Sequence, residues 1–431
     1  MLTLDQVLSP HITVFYAAYC AAFLSTPLMR LIALRLNIVD QPDILRKSHK
    51  MPVAYLGGVA IFLGWFAGIS ISYGRQIVLG EGTEISGAYT TYTGIVLAAL
   101  IIVLLGLWDD LRGIAPQIKV TGQIGAALCL LAHRIGIDCT RPLLAPLASY
   151  LWSFFRIAGH APGEPGTPWF DKLVLVTSGL LVVLVIVGSC NATNLMDGLD
   201  GLCSGVTAIV VAGFLFLAIY LALHGTAESA GADRLRVVIS LAMLGALLGF
   251  VPFNFNPASI FMGDTGSMLL GFSCGTLMIL MAQARGKWFL ASCVMFALPI
   301  LDTSLAFARR WIGRRSLFSA DAHHFHHQIM QRGYTVRQTV MICYALAVGF
   351  ALLGAAMVVV RSRYAVAVYL VTFGSIAVAA VKMGMVHERV RKAASPSGLA
   401  DTPVDAAAML ATDPESVYEV EGLNEPTIAP A

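Results

Sequence analysis

The stretch from Asn191 to Leu202, NATNLMDGLDGL, sets two amides and two carboxylates, Asn191, Asn194, Asp197 and Asp200, between two long apolar runs. Polar groups in such surroundings are costly unless something pairs with them, so four in one short stretch point to a ligand more than to packing. Asn194 lies three residues before Asp197, and Asp197 three before Asp200, a spacing that a helical turn would bring to one face. Gly198 and Gly201 would permit a tight turn or a close approach by the ligand. The structural alternative, a helix cap and turn at a membrane surface, needs one Asn or Asp, not four such groups.

Other segments add charge. GLWDDLRG holds the adjacent acids Asp109 and Asp110, which diverge by about 100° on a helix and so should meet different partners, one a substrate and the other a lysine or a metal. Solvated acids at a helix end are the plain alternative. In FNFNPASIFMGDTGSMLLG, Asp264 stands between Gly263 and Gly266. It suits either a hard cation such as Mg²⁺, which takes oxygen ligands and substrate phosphates, or the N-cap of the helix that follows.

The segment ARRWIGRRSLFSADAHHFHHQIMQRGYT crowds His323, His324, His326 and His327 behind Arg309, Arg310, Arg314 and Arg315. Imidazoles with arginines can grip a diphosphate through charge-assisted hydrogen bonds. Zinc is the rival ligand, and anchoring to anionic lipid would explain arginines but not four histidines. Arg46, Lys47, His49 and Lys50, ahead of Gly57 and Gly58, fit either phosphate contact or a membrane-surface anchor. Asp302 is an intramembrane acid, either functional or paired with a nearby arginine.

The elements that must position these groups are membrane helices. The chain is 57% hydrophobic and only 12% charged, against about 25% charged in soluble domains, and its mean hydropathy is +0.77. The expected fold is therefore all-α and polytopic. Runs of span length, roughly 20 residues, fall near 11–34, 53–73, 91–108, 118–134, 172–190, 203–223, 236–252, 266–283, 288–306, 338–360 and 364–383. That predicts eleven transmembrane helices, or ten if one is re-entrant. The 143–158 segment is too short and reads as interfacial. Residues 1–392 form the membrane domain, and the Ala-, Ser-, Pro- and acid-rich tail, 393–431, is expected to be disordered.

With eleven spans, seventeen of the 28 basic residues fall in connections on one side, which should be cytoplasmic, with the N-terminus outside and the tail inside. Every unusual polar motif lands on that side. The net charge of +3 is too small to imply a polyanion partner. Eight cysteines, scattered singly, read as small buried hydrophobes and not as a disulfide framework or zinc site. No charged region and cleavage site precede the first span, so an uncleaved N-terminal helix is expected.

Taken together, the motifs DDxxxxxxxxK, NAxNxxDGxDGL, FMGDxGS and HxHH, in order between about Asp40 and Thr335, resemble the polyprenyl-phosphate N-acetylhexosamine-1-phosphate transferases. The resemblance implies transfer of a sugar 1-phosphate, in first place GlcNAc-1-phosphate, from a UDP-sugar to a membrane polyprenyl phosphate, with release of UMP. Such a step initiates a cell-surface glycan. It implies Mg²⁺, with Mn²⁺ as a substitute, and an active site at the cytoplasmic face of the cell (inner) membrane. Carried across, Asp109 matches the acid that engages the prenyl phosphate and Asp110 its neighbour; Lys119 matches a diphosphate-binding lysine. Asn194 and Asp264 match magnesium ligands. Asn191, Asp197 and Asp200 match positions near nucleotide and cation, and His324, His326 and His327 match the HxHH near the sugar phosphates. Ala54 and Tyr55 depart from the Pro and Arg of many relatives, and the 135–171 connection is unusually long. The single residue between the first two histidines of HxHH is similar to the UDP-GlcNAc enzymes, whereas consecutive histidines mark the phospho-MurNAc-pentapeptide transferases, the alternative. A transporter is the reading from another class, although it would place its acids near the midplane in repeated broken helices. The expected partners are UDP-N-acetylhexosamine, the lipid phosphate and the membrane, without nucleic acid; a homodimer is one assembly such a chain could form.

Overall fold

In hydrocarbon a backbone N–H or C=O without a partner is costly, so apolar runs of span length become helices that satisfy themselves. That rule accounts for most of the computed structural model, which describes residues 3–40, 53–79, 85–155, 167–226, 229–312 and 324–382. Arg46, Lys47, His49, Lys50, Arg314, Arg315 and His323 lie outside the described residues, as does the tail 393–431.

After a short helix α1 (Leu4–Leu8), α2 (Ile12–Arg35) leads to strand β1 (Val39–Asp40), which pairs antiparallel with β2 (Val53–Ala54). There follow α3 (Gly57–Leu79), α4 (Ile85–Arg112), α5 (Pro116–Ala132), α6 (Arg141–Phe155), α7 (Pro168–Met196), α8 (Leu202–His224), α9 (Ala230–Asn254) and α10 (Gly263–Ala284). The chain continues through α11 (Gly286–Met295), α12 (Ala297–Ile312), α13 (Phe325–Met330), α14 (Val336–Ala356) and α15 (Ser362–Lys382). Local sequence sets several starts. Pro116 and Pro168 stand at the first helical position of α5 and α7, where no N–H is needed. Thr335 forms a capping box with Gln338 at α14.

Eight helices among the described residues are long and apolar enough to cross a membrane, and a ninth span is made by α11 and α12 if that bent pair is counted as one. The chain is a multi-pass membrane protein, and eight or nine of the expected ten or eleven spans are found among the described residues. The expected span at 118–134 is the 17-residue α5, about 25 Å long at 1.5 Å per residue and short of a hydrocarbon core. The last is α15, in which Tyr364–Ser375 forms a shorter apolar helix among the described residues. The ninth bends by 75° between α11 and α12. Pro299 explains the break: it has no N–H to give the carbonyl of Met295, the last residue of α11. The 15-residue α6, with Pro146 inside, is too short to span, as expected for an interfacial segment.

α10 is the axis of the fold. Its whole apolar window is buried, and it packs against α3, α4, α7, α8, α9 and α11. Leu175, Val176, Leu180 and Leu184 of α7 are exposed, as a face turned to lipid would be. The C-terminal ends of α4, α7 and α9 meet the N-terminal ends of α3, α5, α8 and α10 at one end of the bundle. Hydrogen bonds across that end join Lys119 to Asp264, Asn194 to Ser267, Ser204 to Asn254, and Gly58 N–H to the Met262 carbonyl.

Candidate active site

α4 delivers Asp109 and Asp110 to its last turn, and helical geometry sends them to different partners. Asp110 faces the start of α10. Its carboxylate accepts the backbone N–H of Asp264 at 2.7 Å, that of Thr265 at 3.0 Å, and the Thr265 hydroxyl at 2.6 Å. Met262, the residue at the N-cap of α10, makes no side-chain cap bond. The orphan N–H groups and positive end of the helix dipole are instead served by a carboxylate from another helix. Gly263, at φ +66°, makes room, because a Cβ there would sit 2.6 Å from the Asp110 carboxylate. The N-cap reading of Asp264 is thus corrected: Asp264 lies inside the helix and the cap comes from Asp110.

Asp109 points away from that cap. It accepts the Ile114 N–H at 2.8 Å and forms an ion pair with Lys119, whose ammonium also reaches Asp264 Oδ2 at 2.5 Å. One ammonium from α5 therefore joins a carboxylate of α4 to a carboxylate of α10. All three remain partly open to solvent.

The 191–202 stretch does not continue as a helix, so Asn194, Asp197 and Asp200 do not share one helical face; α7 stops at Met196, with Asp197 as its C-cap. Asn191, deeper in the bundle, donates to Gln123 Oε1 at 2.7 Å and to the Val187 carbonyl at 2.8 Å, tying α7 to α5. The Asn194 amide donates to Ser267 Oγ at 3.0 Å, and Ser267 is one turn beyond Asp264. Asp200 accepts from Asn256 Nδ2 at 2.9 Å and the Ala258 N–H at 3.1 Å, so it braces the loop between α9 and α10. Asp197 is given no such donor. Burial raises its carboxyl well above the usual carboxylate range, and the charges of Asp264, Asp110 and Asp200 push the same way.

The histidines dock onto this stretch from the other side. Asp302 Oδ2 lies 3.1 Å from His324 Nδ1, and its Oδ1 accepts the Phe325 N–H at 2.8 Å, so one acid on α12 fixes the start of α13. Among the described residues the partner of Asp302 is a histidine, where an arginine was the alternative from sequence. The rings of His324 and His326 stack with centroids 5.7 Å apart, and those of His326 and His327 lie 4.3 Å apart. His326 Nε2 presses on Gly198, where a Cβ would overlap it, and this buried nitrogen has no hydrogen-bond partner among the described residues. Burial pulls the imidazole down to about 3, so it is neutral near pH 7. It can offer a phosphate a neutral hydrogen bond, not the cationic grip inferred from sequence.

Tyr55, noted from sequence only as a departure from the Arg of many relatives, proves to be part of the site. It lines a cleft of about 570 Å³ with Asp40, Asp109, Asp110 and Asp264. Burial and the surrounding charges of Asp110, Asp197, Asp40 and Asp264 raise its phenol above the ordinary tyrosine value. Gln123, which orients Asn191, was silent in sequence, and Ser267, the last residue of FMGDxGS, gave no sign that it would orient Asn194. No spacing pattern could have revealed them, because their partners lie 68 and 73 residues away.

Among the described residues no group of three or more His, Cys, Asp or Glu side chains is arranged to ligate a metal. The donors at hand are of another kind. Asn194 donates its amide N–H to Ser267, one helical turn beyond Asp264, and each of the two side chains carries an oxygen that a hard cation could take. A hard cation that fills most of its shell with water and substrate phosphates needs only one or two such ligands. Among the described residues Asp109 and Asp264 share the ammonium of Lys119, while Asp110 and Asp197 add negative charge beside Asp264, so a divalent cation would fit the charge balance.

Comparison with known proteins gives the family. The sequence model of Glycosyl transferase family 4 matches residues 92–282, from the helix before Asp109 to the end of α10. The chain is 30% identical over 346 residues to a probable undecaprenyl-phosphate N-acetylglucosaminyl 1-phosphate transferase of Bacillus subtilis (strain 168), covering 80% of this chain and 84% of the relative. It is 34% identical over 357 residues to the decaprenyl-phosphate N-acetylglucosaminephosphotransferase of Mycobacterium tuberculosis (strain ATCC 25618 / H37Rv), with 79% and 80% covered. A phospho-N-acetylmuramoyl-pentapeptide-transferase of Mycolicibacterium vanbaalenii is 30% identical over 304 residues, 66% of this chain and 78% of the relative. With its acid cluster inside the matched region and its likeness running over most of its length, the chain belongs to glycosyl transferase family 4.

Proposed function

We propose that this protein transfers GlcNAc-1-phosphate from UDP-GlcNAc to a polyprenyl phosphate, giving polyprenyl-diphosphate-GlcNAc and UMP. The observation that carries the reading is the joining of Asp109, Lys119 and Asp264 at one end of a membrane bundle, beside Asn194, Asp197 and the histidine segment. An acceptor that lies in the membrane and a soluble donor both reach such a place. The likeness to relatives named as N-acetylglucosamine phosphotransferases supports GlcNAc over other donors. The density of basic residues in the connections at this end supports a cytoplasmic site in the cell (inner) membrane.

In the reaction an oxygen of the lipid phosphate attacks the β-phosphorus of the donor. The bond from that phosphorus to the bridging oxygen breaks, and UMP leaves with the electron pair. Such transfers depend on in-line positioning and charge neutralisation. A phosphate monoester is already largely ionised at neutral pH, so Asp109 serves to position the acceptor through Lys119 and not to deprotonate it. Lys119 would exchange its carboxylate partners for phosphate oxygens as substrates enter. Asp110 holds the first turn of α10, and with it Asp264, in place. The neutral His326 contributes a hydrogen bond without adding charge. Asn194 and Asp264 would hold Mg²⁺, which when bound stabilises negative charge on the transferring and leaving phosphates.

The test is an extraction assay. Purified protein, radiolabelled UDP-GlcNAc, polyprenyl phosphate and Mg²⁺ should give a butanol-soluble labelled product and an equal amount of UMP. A panel of UDP-HexNAc donors and UDP-MurNAc-pentapeptide, run beside it, reads the donor. Product from the pentapeptide donor alone would replace the GlcNAc assignment, and no product from any donor with intact protein would overturn the transferase reading. Omitting the cation, then restoring Mg²⁺ or Mn²⁺, tests the metal.

A further inference from the structure

The opposite end of the same helices holds a second polar cavity. It encloses about 620 Å³ between the end of α8, the start of α9, the end of α10 and the start of α11, and includes Tyr220, Asp233, Arg236, Arg285, Lys287 and Trp288 in its lining. α10 runs 22 residues from Asp264's turn to this cavity, a separation of about 33 Å at 1.5 Å per residue. It is therefore not part of the site described above.

The charges in the cavity are unequal. Asp233 is spent: its Oδ1 accepts from Arg236 at 2.6 Å and its Oδ2 from Ser229 at 2.7 Å. Arg236, 3% exposed, also donates Nε–H to the Leu280 carbonyl at 2.9 Å, so this pair is built into the wall. Lys287 donates to the carbonyls of Val358 at 2.8 Å and Val360 at 3.3 Å and lies over the Trp288 ring at 5.2 Å. Those contacts orient its ammonium but bring no negative charge. Arg285 is exposed on the rim, with no carboxylate against it among the described residues. Among the described residues two cations thus remain without a carboxylate partner around a cavity with an aromatic wall. This is also the side where basic residues are sparse, so their concentration here is not explained by membrane orientation.

We propose that this cavity binds a phosphate group, as the headgroup of an anionic lipid whose chains lie along the apolar surface at the rim. Arg285 and Lys287 supply the charge, and the Asp233–Arg236 pair with Trp288 shapes the floor. A phosphate is favoured by an arginine fork beside a lysine. A location at the membrane–water boundary, with Trp and Tyr in the lining, favours one carried by a lipid.

Replacing Arg236 would strand Asp233 inside the wall, so the test uses the rim instead: the full chain in detergent as wild type and as the double variant Arg285→Gln, Lys287→Gln. Native mass spectrometry reads retention of dioctanoyl phosphatidylglycerol, with dioctanoylglycerol as the uncharged control and inorganic phosphate as the competitor. The wild type should bind the anionic lipid about tenfold more tightly than the double variant, as expected for loss of charged hydrogen bonds, and the uncharged lipid should not tell them apart. Displacement by millimolar inorganic phosphate would assign the same cavity to a soluble phosphate source. Equal retention by both proteins, with both monodisperse and equally active in the transferase assay, would overturn the proposal.

Discussion

The two ends of the helix bundle solve opposite electrostatic problems with similar means. Among the described residues at one end, carboxylates from α4, α10 and the turn after α7 outnumber the one ammonium, and Asp197 has no hydrogen-bond donor. At the other, Arg236, Arg285 and Lys287 outnumber Asp233, and the surplus sits at the rim of a cavity. In both places the internally paired charges form walls: Asp110 on the first turn of α10, and Asp233 on Arg236. Unbalanced charge is what faces the open space. A buried pair is weak evidence for stability; here Asp110 and Asp233 are fully taken up by fixed framework donors, whereas Asp109 and Asp264 share one ammonium and keep capacity for a ligand.

The largest test of that contrast is Asp264→Ala, which should lower turnover about 10³-fold or more, as removal of a group that stabilises the transferring charge does. Asp264→Glu should keep some turnover and shift the optimum between Mg²⁺ and Mn²⁺. Unchanged turnover in the alanine variant, read in the extraction assay, would remove Asp264 from the working set. A narrower test lies in the adjacent acids. Asp109→Asn should lower turnover while leaving thermal unfolding in detergent almost unchanged. Asp110→Asn should cost about 1–2 kcal/mol of stability, the usual worth of a helix cap, with turnover falling because Asp264 is no longer held. Equal unfolding curves for the two would erase the distinction between cap and working acid.

His326 gives a smaller and pH-dependent effect. Its folded value, about 3, lies below the ordinary 6.5, so between those limits the unfolded chain binds a proton that the folded chain refuses. Stability from this group is complete above pH 6.5 and is lost as pH falls from 6.5 towards 3. His326→Gln should flatten that acid limb in thermal unfolding; a limb of unchanged steepness would show that the imbalance comes from other groups. The smallest effect is expected at Arg141 and Asp171, whose 3.0 Å ion pair near the start of α7 is about half exposed. Asp171→Asn should change stability by about 0–1 kcal/mol and leave turnover untouched.

How far each region could be read from sequence follows the range of the interactions that make it. Helices were legible because their hydrogen bonds are local and their apolar runs are long, although α5 fell short of a span and Pro299 broke another. The acids, amides and histidines stood out because such groups are expensive among apolar residues. Their roles did not stand out. Asp109 and Asp110 look alike in sequence, yet one caps α10 from 154 residues away and the other pairs with Lys119. Asn191 and Asn194 sit one turn apart, yet the first ties α7 to α5 and the second turns to the start of α10. Tyr55, within a segment that departs from its relatives, gave no sign that it would line the acid cleft.

By itself, the sequence determined that this is a multi-pass helical membrane protein and that polar chemistry gathers in a few short motifs, because hydropathy and helix hydrogen bonding act over neighbouring residues. Only the tertiary structure decided which carboxylates are spent on helix ends and loops and which remain for a ligand. That choice depends on close approaches between distant helices, such as those at Gly106 and Gly263, and on the burial they create, neither of which a local pattern can encode.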